Sequence, residues 1–159
     1  MKTCRAAFAA VVLCSLPLAS QLANKKALTL TAAKQIAAAA EAEAVKNNWN
    51  VVIAVVDEGG HLLYLQRMDE TQIGSVEIAL QKAKTALLFK RPTKALEDAV
   101  AGGRNVVLRL PGALPIEGGI PIQADGKIIG GIGVSGVQSV QDAQIATAGL
   151  AAVAKMTAK

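Results

Sequence analysis

The feature that most constrains the fold is the dipeptide Asp125-Gly126, which stands between two apolar runs, residues 120–124 and 127–134. Asp-Gly accepts the positive φ angles of a type I′ turn, so this arrangement predicts a β-hairpin with a two-residue turn. The second run ends in Gly-Ile-Gly-Val-Ser-Gly. We expect Ser139 to cap the helix that follows, with Asp142 three residues further on in a capping-box-like start.

The segment Gly131-Ile-Gly133-Val-Ser-Gly136 also matches the G-x-G-x-x-G pattern of dinucleotide-binding proteins. That fold needs a further strand after the helix and an acidic residue about 20 positions on. Neither requirement is met. The sequence given ends at Lys159 before a further strand, and Met156 and Lys159 flank the position of the acidic residue. We therefore interpret these glycines as positions where a strand passes close to a neighbouring element.

Residues 1–23 have the pattern of a secretory signal peptide, and we expect residues 24–159 to form a single domain. Basic Lys2 and Arg5 precede an apolar segment that is too short to cross a bilayer, and small residues follow it. The pattern predicts an exported protein, periplasmic or secreted, with no stable membrane insertion.

Both cysteines of the chain, Cys4 and Cys14, fall within this leader, so we expect no disulfide in the domain. With His61 as the only histidine, a zinc site of ordinary ligand type is excluded as well. The net charge of +5 includes the two basic residues of the leader, and aromatic residues make up 3% of the chain. A nucleic-acid surface with stacking aromatic side chains is therefore not expected.

The remaining pattern predicts the order α-β-β-α-α-β-β-β-α, an α+β domain with a mostly antiparallel sheet. The predicted helices cover residues 31–46, 75–89, a short stretch after Thr93, and 139–156; the predicted strands cover 51–56, 61–68, 105–110 and the two arms of the hairpin. The helices are rich in alanine and carry few charges on some faces. We expect such faces to be buried in a symmetric homo-oligomer.

Several short segments, taken together and in this order, resemble the GlcG/HbpS-like family of haem-binding or haem-degrading proteins. They run from residue 28 to about residue 154: Leu28-Thr-Leu-Thr-Ala-Ala, Val56-Asp-Glu-Gly-Gly-His-Leu62, Arg67-Met-Asp69, Lys82-Ala-Lys-Thr-Ala86, Glu117-Gly-Gly-Ile-Pro121, Asp125-Gly126 and Gly133-Val-Ser-Gly136. The resemblance implies a profilin-like, five-stranded sheet flanked by helices, a homo-oligomer, and haem as the ligand, with haem degradation as an extension.

Haem binding needs an apolar slot, an iron ligand and cations for the propionates. His61 is the candidate iron ligand, and Arg67 and Lys82 are the preferred cations. His61 and Lys82 each have a purely structural alternative. His61 would be a half-exposed residue at the start of a strand, and Lys82 would belong to the solvated face of its helix.

The loop Glu117-Gly118-Gly119 completes the predicted site. Paired glycines between prolines expose backbone N–H groups that suit an anion or another ligand. We expect this loop and the His61 turn to meet and to enclose one apolar cleft. Glu117 is a candidate base, and a solvated surface carboxylate is the alternative interpretation.

Two other functions stay open on the sequence alone. One is a cofactor-free enzyme or accessory protein for small hydroxy acids or other carboxylates, which would use Glu117 and Lys82. The other is a structural assembly subunit, which predicts a closely packed molecule without an open crevice of a few hundred cubic ångströms.

Overall fold

The computed structural model describes residues 25–157, without the side chain of Thr157. The predicted leader, residues 1–23, and both cysteines lie outside the described residues. The helices are α1 (Leu30–Lys46), α2 (Ser75–Phe89), α3 (Lys94–Ala101), a 3₁₀ helix (Asn105–Arg109) and α4 (Ser139–Thr157). The strands are β1 (Val52–Asp57), β2 (Leu62–Arg67), β3 (Gly119–Ala124) and β4 (Lys127–Ser135). The predicted α+β class is confirmed.

The four strands form one antiparallel sheet in the order β2-β1-β4-β3. β3 and β4 are joined by Asp125 and Gly126, whose φ angles are 50° and 71°. These values are typical of the type I′ turn that the sequence predicts. β1 lies in the middle of the sheet, and its residues Val52 to Val56 are fully buried, as expected for a strand covered on both faces.

The sheet has four strands, whereas a five-stranded one is expected from the sequence. Residues 105–110, predicted as a strand, form the 3₁₀ helix instead. Their backbone groups bond locally, with the amides of Val107 and Leu110 donating to Arg104 and Val107. The β-branched pair Val106-Val107 favours a strand locally, but of the two only Val107 is buried. The segment therefore buries one of these two valines and pairs with no strand.

Helices cover the two faces of the sheet unequally. α2 packs against β1, β3 and β4 on one face, while α1 and α4 pack together on the other. The buried alanines of α1 and α4, including Ala37, Ala40 and Ala146, belong to the core between this helix pair and the sheet. The alanine faces assigned to an oligomer interface thus serve, at least at these positions, to pack helices within the chain.

Two helix starts differ from those expected from the sequence. α1 begins after Thr29, whose side-chain oxygen accepts a hydrogen bond from the Ala32 amide at 3.1 Å. α4 includes Ser139, so Gln138 precedes the helix; its amide donates to the Gln141 side chain at 3.1 Å. The predicted capping role of Ser139 is therefore wrong. Asp142 instead accepts a hydrogen bond through Oδ1 from the Val137 amide at 3.3 Å.

The glycines of β4 allow α2 to approach the sheet closely. A Cβ atom at Gly131 or Gly133 would collide with the carbonyl oxygen of Ala83 or Ala79. This contact confirms the packing interpretation of the glycine-rich segment and explains why a dinucleotide-like pattern occurs in an antiparallel sheet. Within residues 25–157, no helix combines the length and hydrophobicity needed to span a membrane.

Candidate functional site

A surface hollow of about 570 Å³ lies beside the turn that joins β1 to β2. Leu87, Leu88 and Ile128 provide apolar side chains, and the backbone of Gly59 lies at its edge. The remaining lining residues are Lys25, Glu58, Lys90, Gly126 and Lys127. We call this cavity the His61 hollow after the turn that borders it; His61 itself is not one of its lining residues. Three ammonium groups around an apolar surface suit a flat apolar molecule that carries acidic groups.

The turn beside this hollow is organised by the carboxylate of Asp57. One oxygen, Oδ1, accepts hydrogen bonds from the amides of Gly59 at 2.8 Å and His61 at 2.9 Å. Partial burial opposes ionisation of Asp57, but the hydrogen bonds from these two amides outweigh it and lower the pKa of the carboxyl group. Asp57 thus holds a negative charge at the base of the turn.

The same carboxylate oxygen lies 3.4 Å from Nδ1 of His61. Gly59 permits this arrangement, because a Cβ atom there would come within 2.7 Å of the ring nitrogen. The His61 side chain is 82% exposed. A carboxylate at Nδ1 orients an imidazole so that Nε2 faces outward with its lone pair, the geometry found at many metal-bound histidines.

A different polar cluster lies in the core, where Lys82 of α2 meets Asp142 of α4. The ammonium group is 2.8 Å from the carboxylate and 3.0 Å from the carbonyl oxygen of Val134. Both side chains are 2% exposed. Burial raises the pKa of Asp142, although the hydrogen bond and charge of Lys82 act in the opposite direction. The interpretation of Lys82 as a solvated residue is therefore wrong.

The Glu117–Gly119 loop covers this buried pair. Gly118 has φ 123°, and a Cβ atom there would lie 2.8 Å from Cβ of Asp142 and 2.9 Å from Nζ of Lys82. The amide of Gly119 donates to the Thr93 hydroxyl at 2.9 Å, and that of Glu117 donates to Glu97 at 2.5 Å. Two of the loop's N–H groups therefore already have protein acceptors, which argues against the predicted anion cradle.

Arg67 lies at the end of β2, where it pairs with Val52 at the start of β1. It is exposed and borders a shallow hollow together with Glu41, Asp69 and Glu70. These carboxylates would oppose the binding of another acidic group. Arg67 is thus poorly placed to receive a propionate.

The structure does not bring the predicted site residues together. Gly118 bonds to Val134, which pairs with Ile53 of β1, whereas Asp57 at the other end of β1 bonds to His61. The two loops are separated along β1 by four residues, or about 13 Å. The expected single cleft is therefore wrong: His61 stands apart from Lys82, Arg67 and the Glu117 loop because β1 lies lengthwise between them.

Sequence reasoning missed the residues that line the hollow beside the His61 turn. Leu87, Lys90 and Ile128 come from α2, its C-terminal end and the β-hairpin, so no local motif joins them. For Lys82 a signal was present. It is three residues from both Ala79 and Thr85 and four from Ala86, all buried, which places it on the core-facing side of α2.

The described residues offer no cluster of three or more His, Cys, Asp or Glu side chains suited to a metal ion.

A family model described as "Haem degrading protein HbpS-like" matches residues 28–151. The chain belongs to this family. Its sequence is 46% identical to the protein GlcG of Escherichia coli K12 over 112 residues, which is 70% of this chain and 84% of GlcG.

Solved structures of the HbpS-like family agree with the fold. The chain superposes on the Klebsiella pneumoniae protein ORFY with a TM-score of 0.79 and 35% identity, covering 86% of this chain and 97% of ORFY. It superposes on PduOC, solved as a haem complex, with a TM-score of 0.73 and 32% identity, covering 80% and 95% of the two chains.

Proposed function

We propose that this HbpS-like protein binds haem in the His61 hollow, with His61 as the iron ligand. The observation that carries the proposal is an apolar hollow with a rim of lysines, bordered at Gly59 by the turn that holds a carboxylate-oriented imidazole. The haem complex of the structurally similar PduOC supports the choice of ligand.

The residues of the hollow match the parts of a haem. Leu87, Leu88 and Ile128 would contact the apolar ring, and Lys90 with its neighbouring lysines would meet the propionates. Bound iron supplies redox and oxygen chemistry; the protein's part is to orient the imidazole, through Asp57, and to shield one face of the ring.

The test is a titration of the purified protein with hemin, followed by the Soret band. We expect a shifted band that saturates. His61→Ala should change its position and weaken binding, and Asp57→Asn should weaken it about tenfold by freeing the ring. Arg67→Gln is the matched control, because Arg67 lies at the other end of the sheet and should leave the spectrum unchanged.

Two outcomes would contradict this assignment. An unshifted hemin spectrum with the wild-type protein would remove haem as the ligand. Equal effects of His61→Ala and Arg67→Gln would place the site elsewhere. Haem degradation, named in the family's description, is tested separately by adding ascorbate in air and following loss of the Soret band.

Two structural observations argue against the two other functions. An enzyme using Lys82 on small carboxylates would need that ammonium group to reach a ligand, but it is buried against Asp142 and covered by the Glu117 loop. A purely structural subunit would lack an open crevice, whereas the His61 hollow measures about 570 Å³. Haem binding therefore remains the best-supported proposal.

We further propose that the protein is exported through the leader at residues 1–23 and forms a homo-oligomer. Large aliphatic side chains in water, such as Ile73 at 79% and Val140 at 61% exposure, support self-association. Cell fractionation with and without the leader tests export, and light scattering after size-exclusion chromatography tests assembly. A monomer at all concentrations would contradict the second proposal.

A further inference from the structure

A second hollow, of about 430 Å³, lies between the end of α2, α3 and the 3₁₀ helix. Its walls are apolar: Phe89, Ala95, Leu96, Ala99, Val106, Val107 and Leu110. Arg91 and Arg104 complete the lining, and we call it the Arg91/Arg104 hollow. None of these nine residues lines the His61 hollow.

The two arginines carry charges that the described protein does not balance. Neither forms an ion pair with a carboxylate in residues 25–157, and no acidic side chain lines the hollow. The nearby acids of α3 have other partners, since Asp98 pairs with Lys94 and Glu97 accepts from the Glu117 amide. Two positive charges therefore stand at an apolar surface without a counterion from the described chain.

The conformation of Arg91 is partly fixed. Its Nε donates to the carbonyl oxygen of Phe89 at 3.0 Å, which holds the guanidinium beside the hollow and leaves its terminal nitrogens for another acceptor. A guanidinium is suited to a carboxylate because it can offer two parallel N–H donors.

The apolar part of the hollow is only half covered by the protein. Leu96 and Val107 form a buried base, at 5% and 4% exposure, whereas Val106 is 63% exposed and Leu110 is 39% exposed. Covering aliphatic surface of this kind is favourable because it removes apolar area from water. A ligand with a hydrocarbon part would gain this energy, and its acidic group would meet the arginines.

We infer that the Arg91/Arg104 hollow is a second ligand site, which binds apolar monocarboxylates. No lining residue is a His, Cys, Tyr or Met, so the hollow offers no side chain of the usual iron-ligating kinds. The site is therefore distinct from the proposed haem site in both its residues and its chemistry.

The probe is decanoate, titrated by calorimetry at concentrations below micelle formation. We expect saturable binding of one decanoate per chain. Decanol and decyltrimethylammonium have the same hydrocarbon tail without the negative charge, and we expect them to bind at least about tenfold more weakly, which corresponds to 1.4 kcal/mol.

Substitutions locate the binding site. Arg91→Met and Arg104→Met keep much of the apolar stem and remove the charge, so each should weaken decanoate binding about tenfold. Arg109→Met is the matched control: it lies in the same 3₁₀ helix, is exposed and does not line the hollow, and should bind decanoate like the wild type. Thermal unfolding of each variant verifies that it is folded.

Three results would overturn the inference: no saturable binding, equal binding of decanoate and decyltrimethylammonium, or equal losses in Arg104→Met and Arg109→Met. Hemin titration of Arg104→Met separates this site from the proposed function. An unchanged Soret response together with weaker decanoate binding would show two independent sites.

Discussion

The buried pair of Lys82 and Asp142 joins three elements that are far apart in the sequence. Lys82 comes from α2, its second acceptor Val134 comes from β4, and Asp142 comes from the first turn of α4. Removing two charges from water costs several kcal/mol per ion, and their attraction offsets this cost only when the geometry is good. The raised pKa of Asp142 reflects the same burial.

Removing one partner of this pair should be far more harmful than removing both. We expect Asp142→Asn to lower the free energy of unfolding by about 3–5 kcal/mol, because it leaves the Lys82 ammonium buried without a counterion. The double variant Lys82→Met/Asp142→Asn should lose at least about 2 kcal/mol less than the sum of the losses in Lys82→Met and Asp142→Asn. Urea unfolding measures all of these free energies.

Lys84→Met is the control for this cycle, since Lys84 lies on the same helix but is partly exposed; its effect should stay within about 0.5 kcal/mol. Additive losses in the double variant would show that the two charges do not interact.

At the scale of single residues, the sequence indicated which side chains to consider but not whether those side chains are buried or exposed. His61 and Lys82 were both singled out, yet one is mostly exposed and the other is buried. Scarcity in the composition identifies a histidine as a candidate, but it does not reveal which groups lie near it in space. The Asp57 contact follows from a tight local turn, whereas the partner of Lys82 is 60 residues away.

At the scale of elements, the contact between α2 and β4 organises one face of the sheet. Gly133 faces the backbone of α2 so closely that a Cβ atom would meet both the Ala79 carbonyl oxygen and, at 2.5 Å, the Ala83 amide nitrogen. Backbone atoms cannot rotate away as a flexible side chain can, so any side chain at this position must push the helix from the sheet.

Gly133→Ala should therefore be strongly destabilising, by about 2 kcal/mol or more, because it overpacks this contact. Gly74→Ala provides the matched control. Gly74 precedes α2 with φ −59°, and a Cβ atom there meets nothing within 4 Å, so this change should be neutral or slightly stabilising. Thermal unfolding compares the two variants. Similar losses of thermal stability in Gly133→Ala and Gly74→Ala would contradict the close approach of α2 and β4.

The elements themselves were largely predictable. The range of α2, Ser75–Phe89, agrees with the sequence, and so does the hairpin, because local periodicity and turn chemistry specify both. Residues 105–110 were not predictable in this way. A β-branched run becomes a strand only when a neighbouring strand accepts its hydrogen bonds, and no strand of the described sheet pairs with this segment.

At the scale of the whole molecule, two aspartates make global stability depend on pH in opposite senses. Asp57 has a pKa below 3.8, so its contribution to stability is present above that value and is lost as the pH falls through its folded-state pKa. Asp142 has a pKa above 3.8, so the folded state takes up its proton first, and stability from this group rises as the pH falls towards 3.8.

Asp57→Asn isolates the first contribution. At neutral pH we expect the variant to be less stable than the wild type by about 1 kcal/mol, since its side chain accepts the two turn hydrogen bonds without a charge. The difference should shrink as the pH is lowered through the folded-state pKa of Asp57, where the wild-type carboxyl group becomes protonated. Urea unfolding along this pH series measures the difference in stability between the two proteins. Glu58→Gln, at an exposed position, is the control. A difference that is constant with pH would contradict the assignment.

The sequence by itself determined the family, the α+β class, the hairpin and most helix and strand positions, because these depend on periodicity and turn residues within a few positions of one another. The tertiary structure decided which side chains share a surface. It separated His61 from the Glu117 loop along β1, buried Lys82 against Asp142, and joined Leu87, Lys90 and Ile128 into one hollow. The physical reason is that strand register and helix packing set distances between residues far apart in the chain, and no local pattern encodes those distances.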